Sequence, residues 1–249
     1  MNAIIIAAGS GKRISEDVKD LPKSLLMVNE KPIIVHQIQA LKRVGIENIT
    51  VITAAHSKKF EIENVRYVKD HYYNEHDILG SLMEAKEFLK NDVLVLYSDI
   101  IFESKILRQI LDSKGNISIA IDNEWEKNYE GRTEHPKTEA ENVLLDKEYN
   151  ILKIKKNITN QGNYVGEFLG IIKFSGDGAN IFVRKYNEII KTHNGNFHDA
   201  PSILKAYLTD MLQELINCDI RIEPVFISGK WCEIDTLQDL KKAEEKFSI

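Results

Sequence analysis

Cysteine is scarce. Only Cys218 and Cys232 occur in 249 residues, too few for a disulfide scaffold and without the spacing of a zinc site. A strong charge of either sign is missing as well. Lys and Arg number 33 against 38 Asp and Glu, a net charge of −5, and the basic residues are scattered, which leaves no electrostatic footprint for nucleic acid or an anionic membrane. No apolar run approaches the ~20 residues of a membrane span. The N-terminal run from Ile4 to Ala8 lacks a basic flank and stops at Gly9, so an intracellular, cytoplasmic protein is expected. Internal repeats, low-complexity tracts and interdomain linkers are also absent. What remains is an ordinary globular composition, 43% hydrophobic and 29% charged, in a chain short enough to form one domain over residues 1–249.

Along the chain, apolar runs alternate with amphipathic stretches. The first strand reaches Ala8. Pro32 then heads a helix whose positions Ile34, Ile38, Leu41 and Val44 recur at helical spacing until Gly45 stops it. Ile49 to Thr53 and Arg66 to Val68 read as further strands, and Leu79, Leu82, Met83 and Leu89 as a helical face before the strand Val93 to Tyr97. Apolar strands separated by helices predict an α/β protein with a Rossmann-like, mostly parallel sheet covered by helices on both faces. After the strand Ile117 to Ile121 the pattern changes. Segments 143–145 and 151–155 read as antiparallel strands about an Asp146 to Asn150 turn, and the polar stretch from Trp125 to Glu141 completes a small β-rich substrate lobe or lid of about 122–164. Regularity returns with a strand from Val165 to Phe174 and a helix near 177–192. A further helix is expected from Asp199, with Pro201 in its first turn and Leu204, Leu208, Met211, Leu212 and Leu215 on its buried face. A strand at 220–227 and a last helix capped by Thr236, with Asp239 three residues on, complete the chain.

The loop Ala7, Ala8, Gly9, Ser10, Gly11, Lys12, Arg13 follows the first strand, where ligands collect at the carboxyl ends of a parallel sheet. Small residues let backbone N–H groups reach a phosphate chain, and Lys12 and Arg13 add positive charge. The loop lacks the Walker A frame, and Ile14 stands where a dinucleotide loop has its third glycine, so phosphate binding and a plain turn both stay open on these residues alone. Asp99 stands at the carboxyl end of an apolar strand, where an unpaired carboxylate is costly, and a cation is expected beside it. Asp235, before a capped helix, offers a second oxygen ligand, and two carboxylates with phosphate oxygens suit octahedral Mg²⁺. A turn residue is the alternative for Asp99 and a helix cap for Asp235. Lys23, directed by Pro22, places a cation beside the glycine loop, against the alternative of a solvated surface lysine.

Gly9-x-Gly11-x-Arg13, then Pro22-Lys23-x-Leu25 and a short connector to a Pro-headed helix, resembles the sugar-phosphate nucleotidyltransferase superfamily over essentially the whole chain. Tyr97-Ser98-Asp99 and Trp231-Cys232-Glu233-Ile234-Asp235 look like the acidic motifs of its CTP-dependent members. The resemblance implies catalytic roles for Lys23, Arg13, Asp99 and Asp235, with Asp99 and Asp235 holding Mg²⁺. It implies nucleotide binding by Ala7, Ala8, Gly9, Ser10, Gly11, Lys12, Arg13 and Lys23, and by Ser81 in the segment from Asn74 to Leu82, where helix capping is the alternative for Asp77. The longer substrate domain and hexapeptide β-helix of many sugar-nucleotide enzymes are not seen, which implies a small acceptor. The segments 122–125, 129–136, 139–141, 166–170 and 206–215 look like nucleotidyltransferases of phosphonate biosynthesis, some of them fused to phosphoenolpyruvate mutase.

The resemblance thus implies transfer of CMP from CTP to a small phosphonate. A surplus of carboxylates over aromatics in the acceptor region favours 2-aminoethylphosphonate. Phosphocholine, then a sugar 1-phosphate, are the alternative acceptors, and a noncatalytic regulatory subunit of the same fold is the non-enzyme alternative. Arg132 and His135 are expected to hold the acceptor's anionic head, and Asp122, Trp125, Trp231 and Glu233 to receive an ammonium, against a plain solvated loop. A homodimer and a pathway link to phosphoenolpyruvate mutase complete the expectations.

Overall fold

The structure, a computed structural model, describes residues 1–9, 21–159 and 162–248. In chain order, β1 (Asn2–Ala7) is followed by the short hairpin of β2 (Met27–Val28) and β3 (Lys31–Pro32), then α1 (Ile33–Arg43), β4 (Asn48–Thr53) and β5 (Arg66–Lys69). Next come α2 (Ile78–Glu84), β6 (Val93–Tyr97), β7 (Ile100–Phe102), α3 (Ser104–Leu111) and β8 (Ile117–Asp122). The middle of the chain adds α4 (Glu126–Tyr129), β9 (Glu141–Leu145), β10 (Ile151–Lys156) and β11 (Tyr164–Phe174). The remainder is α5 (Gly176–Thr192), α6 (Leu208–Asn217), β12 (Glu223–Phe226), β13 (Trp231–Glu233) and α7 (Leu237–Lys246).

The fold is α/β, as the alternation of elements predicts. β5, β4, β1 and β6 form a parallel block with β1 inside it. The period of two along β1 sends Ile4 and Ile6 to a core with Leu79, Leu82, Phe182 and Leu212, and Ala3, Ile5 and Ala7 to a second core with Ile34, Ile38, Leu41 and Ile106. Helices therefore cover both faces. No helix among the described residues is long and apolar enough to cross a membrane.

β11 extends the sheet in the antiparallel sense and joins to it β9 and β10, the strands of the expected small lobe. Its residues 171–174 pair with β6 and its residues 164–167 with β9, so Phe168, Leu169 and Gly170 pair with neither strand along that edge. On its other edge the pairing with β8 shifts register between Phe168 and Ile172. The fork is opened by Tyr97, the last residue of β6. Gly170 (φ +70) accommodates it, since a Cβ there would come within 2.3 Å of the Tyr97 ring.

The helix expected from Asp199 begins at Leu208 instead, after a single 3₁₀ turn over Ile203–Lys205. The carbonyls of Leu204 and Ala206 are engaged by the N–H groups of Asp77 and Leu79, which keeps this segment from closing its own helical bonds. The cap of α6 is built by Asp210, whose carboxylate accepts from the N–H of Tyr207 at 2.8 Å. The same contacts leave Asp77 at the start of α2 without a side-chain capping bond. Thr236 and Asp239 form the capping box predicted for α7.

Candidate active site

The carboxyl ends of β1, β4 and β6 open into a cleft of about 870 Å³. Ala7, Ala8 and Gly9 leave β1 along its floor, Ala54, Ala55 and His56 follow β4, and Tyr97, Ser98 and Asp99 follow β6. Ser10, Gly11, Lys12 and Arg13 lie outside the described residues. Lys23 enters from a 3₁₀ turn started by Pro22, whose fixed φ of −53° turns the chain toward the cleft. Ser81 lies on the α2 wall, and its hydroxyl donates to the fully buried Asp70 at 2.7 Å. Nδ1 of His76 sits 3.5 Å from the same carboxylate.

The acidic residues meet through the main chain. β13 pairs antiparallel with β7, which sets Glu233 opposite Ile100, and the Ile234 N–H donates to the Asp99 carbonyl at 2.8 Å. From α1, the buried Gln37 amide donates to the carbonyls of Tyr97 and Ile100, both at 2.8 Å, and so pins the turn that carries Asp99. Between the carboxylates stands Lys23, in contact with Asp235 and 3.6 Å from Asp99. His135 Nδ1 reaches Asp235 at 3.0 Å. Burial works against the Lys23 ammonium, but Asp99 and Asp235 outweigh it and hold its pKa above the ordinary lysine value. Burial likewise opposes the Asp235 anion, yet His135 and Lys23 keep that group well below the usual carboxylate range. Desolvation pushes Asp99 up despite Lys23, and desolvation together with Asp235 and Asp99 pushes Glu233 well up.

Three carboxylates thus crowd one ammonium and one imidazole. The ligating atoms of His135, Glu233 and Asp235 lie within 4.8 Å of one another, and the neighbouring Asp99 and Asp235 supply hard oxygen donors. A donor set of carboxylate oxygens with surplus negative charge fits a Mg²⁺-like cation, because small hard cations prefer oxygen.

Behind Tyr97 a side pocket of about 120 Å³ opens from the cleft, sharing with it Ile78, Tyr97, Asp99 and Tyr207. It occupies the fork of β11. Glu141 of β9, Lys156 of β10, Glu167 of β11 and Glu233 of β13 all line it, together with His135 and Trp231. Burial raises Glu141 to about 7 and Glu167 to about 8.

Of the residues expected to bind an acceptor, His135, Trp231 and Glu233 line this pocket and three do not. The Arg132 guanidinium donates to Asp239 at 2.7 Å, lies 3.6 Å from Glu233 and stacks 4.7 Å from the Tyr129 ring centroid, so it braces the pocket from outside. Asp122 is held away by its own partners, accepting from Trp231 Nε1 and the Glu124 N–H at 2.8 Å each and from Asn128 at 3.1 Å. Trp125 packs with Tyr129, Ala140 and Val165, and its indole N–H donates to the Val165 carbonyl.

Gln37 and Lys156 escape a motif-based reading, while Glu141 and Glu167 fall in the segments 139–141 and 166–170 that carry the resemblance without having been given a role there. Gln37 interrupts the apolar stripe of α1, and Glu167 is the acid within the apolar run of β11.

A "CTP:phosphoglutamine cytidylyltransferase" of Campylobacter jejuni subsp. jejuni is 29% identical, with 99% of this chain and 100% of the relative aligned. The "Choline-phosphate cytidylyltransferase" of Streptococcus pneumoniae is 35% identical over 108 residues, 42% of this chain and 47% of the relative. The solved structure of the CTP:phosphocholine cytidylyltransferase of Streptococcus pneumoniae superposes with a TM-score of 0.72 at 23% identity, covering 98% of this chain and 97% of that one, which shows the shared fold. The MobA-like NTP transferase domain matches residues 3–244, the span that holds both the cleft and the side pocket, and the chain belongs to that family.

Proposed function

We propose that this nucleotidyltransferase moves CMP from CTP to a small phosphonate or phosphoryl acceptor carrying a primary ammonium, with 2-aminoethylphosphonate as the favoured substrate. The observation that carries the reading is a narrow, acid-lined pocket opening beside Lys23, Asp99 and Asp235 at the strand ends. CTP is supported by the names of the relatives. Phosphoglutamine, named for the Campylobacter jejuni relative, is likewise a small phosphoryl acceptor built on an amino compound.

In the reaction an acceptor oxygen forms a bond to the α-phosphorus of CTP while the bond to the bridging oxygen breaks and pyrophosphate leaves with the electron pair. The attacking oxygen is already ionised at neutral pH, so no strong general base is required. Lys23 and Arg13 neutralise charge on the α-phosphate as it develops, where fixed cations act most strongly. Asp99 and Asp235 would hold Mg²⁺, which supplies neutralisation of the triphosphate. His135 keeps Asp235 ionised and oriented, and Gln37 keeps the Asp99 turn in place.

Phosphocholine is the second reading, favoured by the rings of Tyr97, Phe168, Tyr207 and Trp231 around the pocket. A quaternary ammonium donates no hydrogen bond from nitrogen, however, and would leave the buried acceptors there unmet. Pyrophosphate release can be measured with CTP, ATP, GTP and UTP against 2-aminoethylphosphonate, phosphoglutamine and phosphocholine. The expected result is CTP dependence and a kcat/KM for 2-aminoethylphosphonate at least about 100-fold above that for phosphocholine. Equal rates or a preference for phosphocholine would overturn the acceptor class.

A further inference from the structure

Glu167 is the fourth of eleven residues in β11, where its neighbours along the strand are apolar, and its residue is only 4% exposed. One carboxylate oxygen accepts from the Tyr129 hydroxyl at 2.6 Å. The other is buried and meets no donor, although the side chain lines the side pocket. Arg132 is close enough to act on Glu167 electrostatically, but its hydrogen bond is made to Asp239. Across the fork stands Glu141, near enough to the buried Tyr97 hydroxyl and to Glu167 to shift both. That hydroxyl faces the Glu141 carboxylate within hydrogen-bonding reach.

A buried acceptor without a donor is costly, and two carboxylates beside it need a positive charge. A primary ammonium has three N–H donors and one charge. The pocket offers three acceptors to match: the open oxygen of Glu167, the Glu141 carboxylate and the Tyr97 hydroxyl. Burial raises the pKa values of Glu141 and Glu167, and Lys156 offsets this only in part at Glu141, so the pair would gain from a further positive charge.

We infer that Glu167, oriented by Tyr129 and faced by Glu141, is the seat of the acceptor's ammonium and sets the preference for a cationic over a neutral acceptor. The inference rests on the acceptor class proposed above. It assigns the head-group contact to β9 and β11 and not to the loop of Asp122 and Trp125.

The test compares 2-aminoethylphosphonate with 2-hydroxyethylphosphonate, which keeps the length and loses the charge. The wild type is expected to prefer the amine by about 100-fold or more in kcat/KM, the scale of a site whose buried polar groups would otherwise be unpaired. In Glu167→Gln that ratio should fall to within about tenfold, with the loss carried by the acceptor KM. Glu141→Gln should narrow the ratio in the same direction, and it serves if Glu167→Gln does not fold. Tyr129→Phe, which frees the second Glu167 oxygen from its anchor, should narrow it less. A wild type that prefers the amine while Glu167→Gln and Glu141→Gln keep the full ratio would overturn this inference alone. A wild type that prefers neither acceptor, or uses neither, would overturn it together with the acceptor class.

Discussion

The cleft and the side pocket share the ring of Tyr97 and are built in opposite ways. The cleft is shaped by main chain and small residues at the ends of parallel strands, with Ala7, Ala8, Gly9, Ala54 and Ala55 leaving space for a ligand. The pocket is shaped by long side chains from β9, β10, β11, β13 and the residues just after it, at the place where antiparallel pairing is interrupted. The first architecture suits chemistry common to all nucleoside triphosphates, because a phosphate chain is read by backbone and fixed charge. The second suits discrimination among acceptors, because each lining side chain can change without disturbing the strand that carries it.

The sharpest way to break this division is to remove Asp99, which belongs to the cleft side. Asp99→Ala should lower CMP transfer by about 10³-fold or more while far-UV circular dichroism stays native, and EDTA should do the same to the wild type. Full activity of the variant in EDTA would show that neither the carboxylate nor a metal takes part. Lys23→Ala comes next. A loss of roughly 10² in kcat with a smaller change in the CTP KM is expected from one electrostatic contact made in the transition state. A change confined to KM would mean that Lys23 grips ground state and transition state alike.

Gln37→Leu tests whether the support of the cleft is separable from the pocket. Two buried carbonyls, Tyr97 and Ile100, lose their donor, so stability should fall by roughly 2–4 kcal/mol in denaturant melts. The kcat should drop about tenfold with little change in acceptor preference, as expected for a small displacement of one reacting group. An altered amine-to-hydroxyl ratio would show that the two sides are coupled through Tyr97.

The smallest effect concerns pH. Glu141 and Glu167 have folded-state pKa values of about 7 and about 8, above the ordinary 4.5, so they hold protons in the folded protein that the unfolded chain has already released. Their contribution is full below the unfolded value and is lost as pH rises through 7 and 8. The ligand-free melting temperature should therefore fall by a few degrees between pH 5.5 and 8.5, and Glu167→Gln should flatten the trend. Melting that is indifferent to pH, or that rises across this window, would contradict the protonation of the pocket.

The same division explains what was legible in the sequence. The parallel block declared itself through runs such as Ile4 to Ala7 and Val93 to Tyr97, because a strand buried on both faces must be apolar throughout. Asp99 is readable from its place at the end of such a run, Lys23 from Pro22 and the glycine loop beside it, and Asp235 from the capped helix that follows, and the structure brings these three together. The pocket was not readable in that way. Its residues come from stretches scattered between Ile78 and Asp235, and their meeting depends on a fork in strand pairing that no local pattern encodes. Asp122 and Trp125, in the polar stretch that looked most like a binding loop, are turned to Trp231 and Val165 instead. The start of α6 was misplaced for a related reason, since the N–H groups competing for the carbonyls of Leu204 and Ala206 belong to α2, far away in the chain.

Tyr97 against Gly170 also constrains how this scaffold can diversify. A ring lying where a single added carbon at residue 170 would collide has no slack on that side, so the shared wall behaves as a fixed gauge. Glu139 and Lys156, by contrast, are 40% and 42% exposed in their side chains and border the pocket at its solvent side. Room for a bulkier acceptor therefore exists at that rim and not across the ring. Variants selected for larger substrates should accumulate changes around residues 139 and 156 while Gly170 and Tyr97 stay as they are, and the reacting phosphorus would keep its distance from the wall whatever tail the acceptor bears.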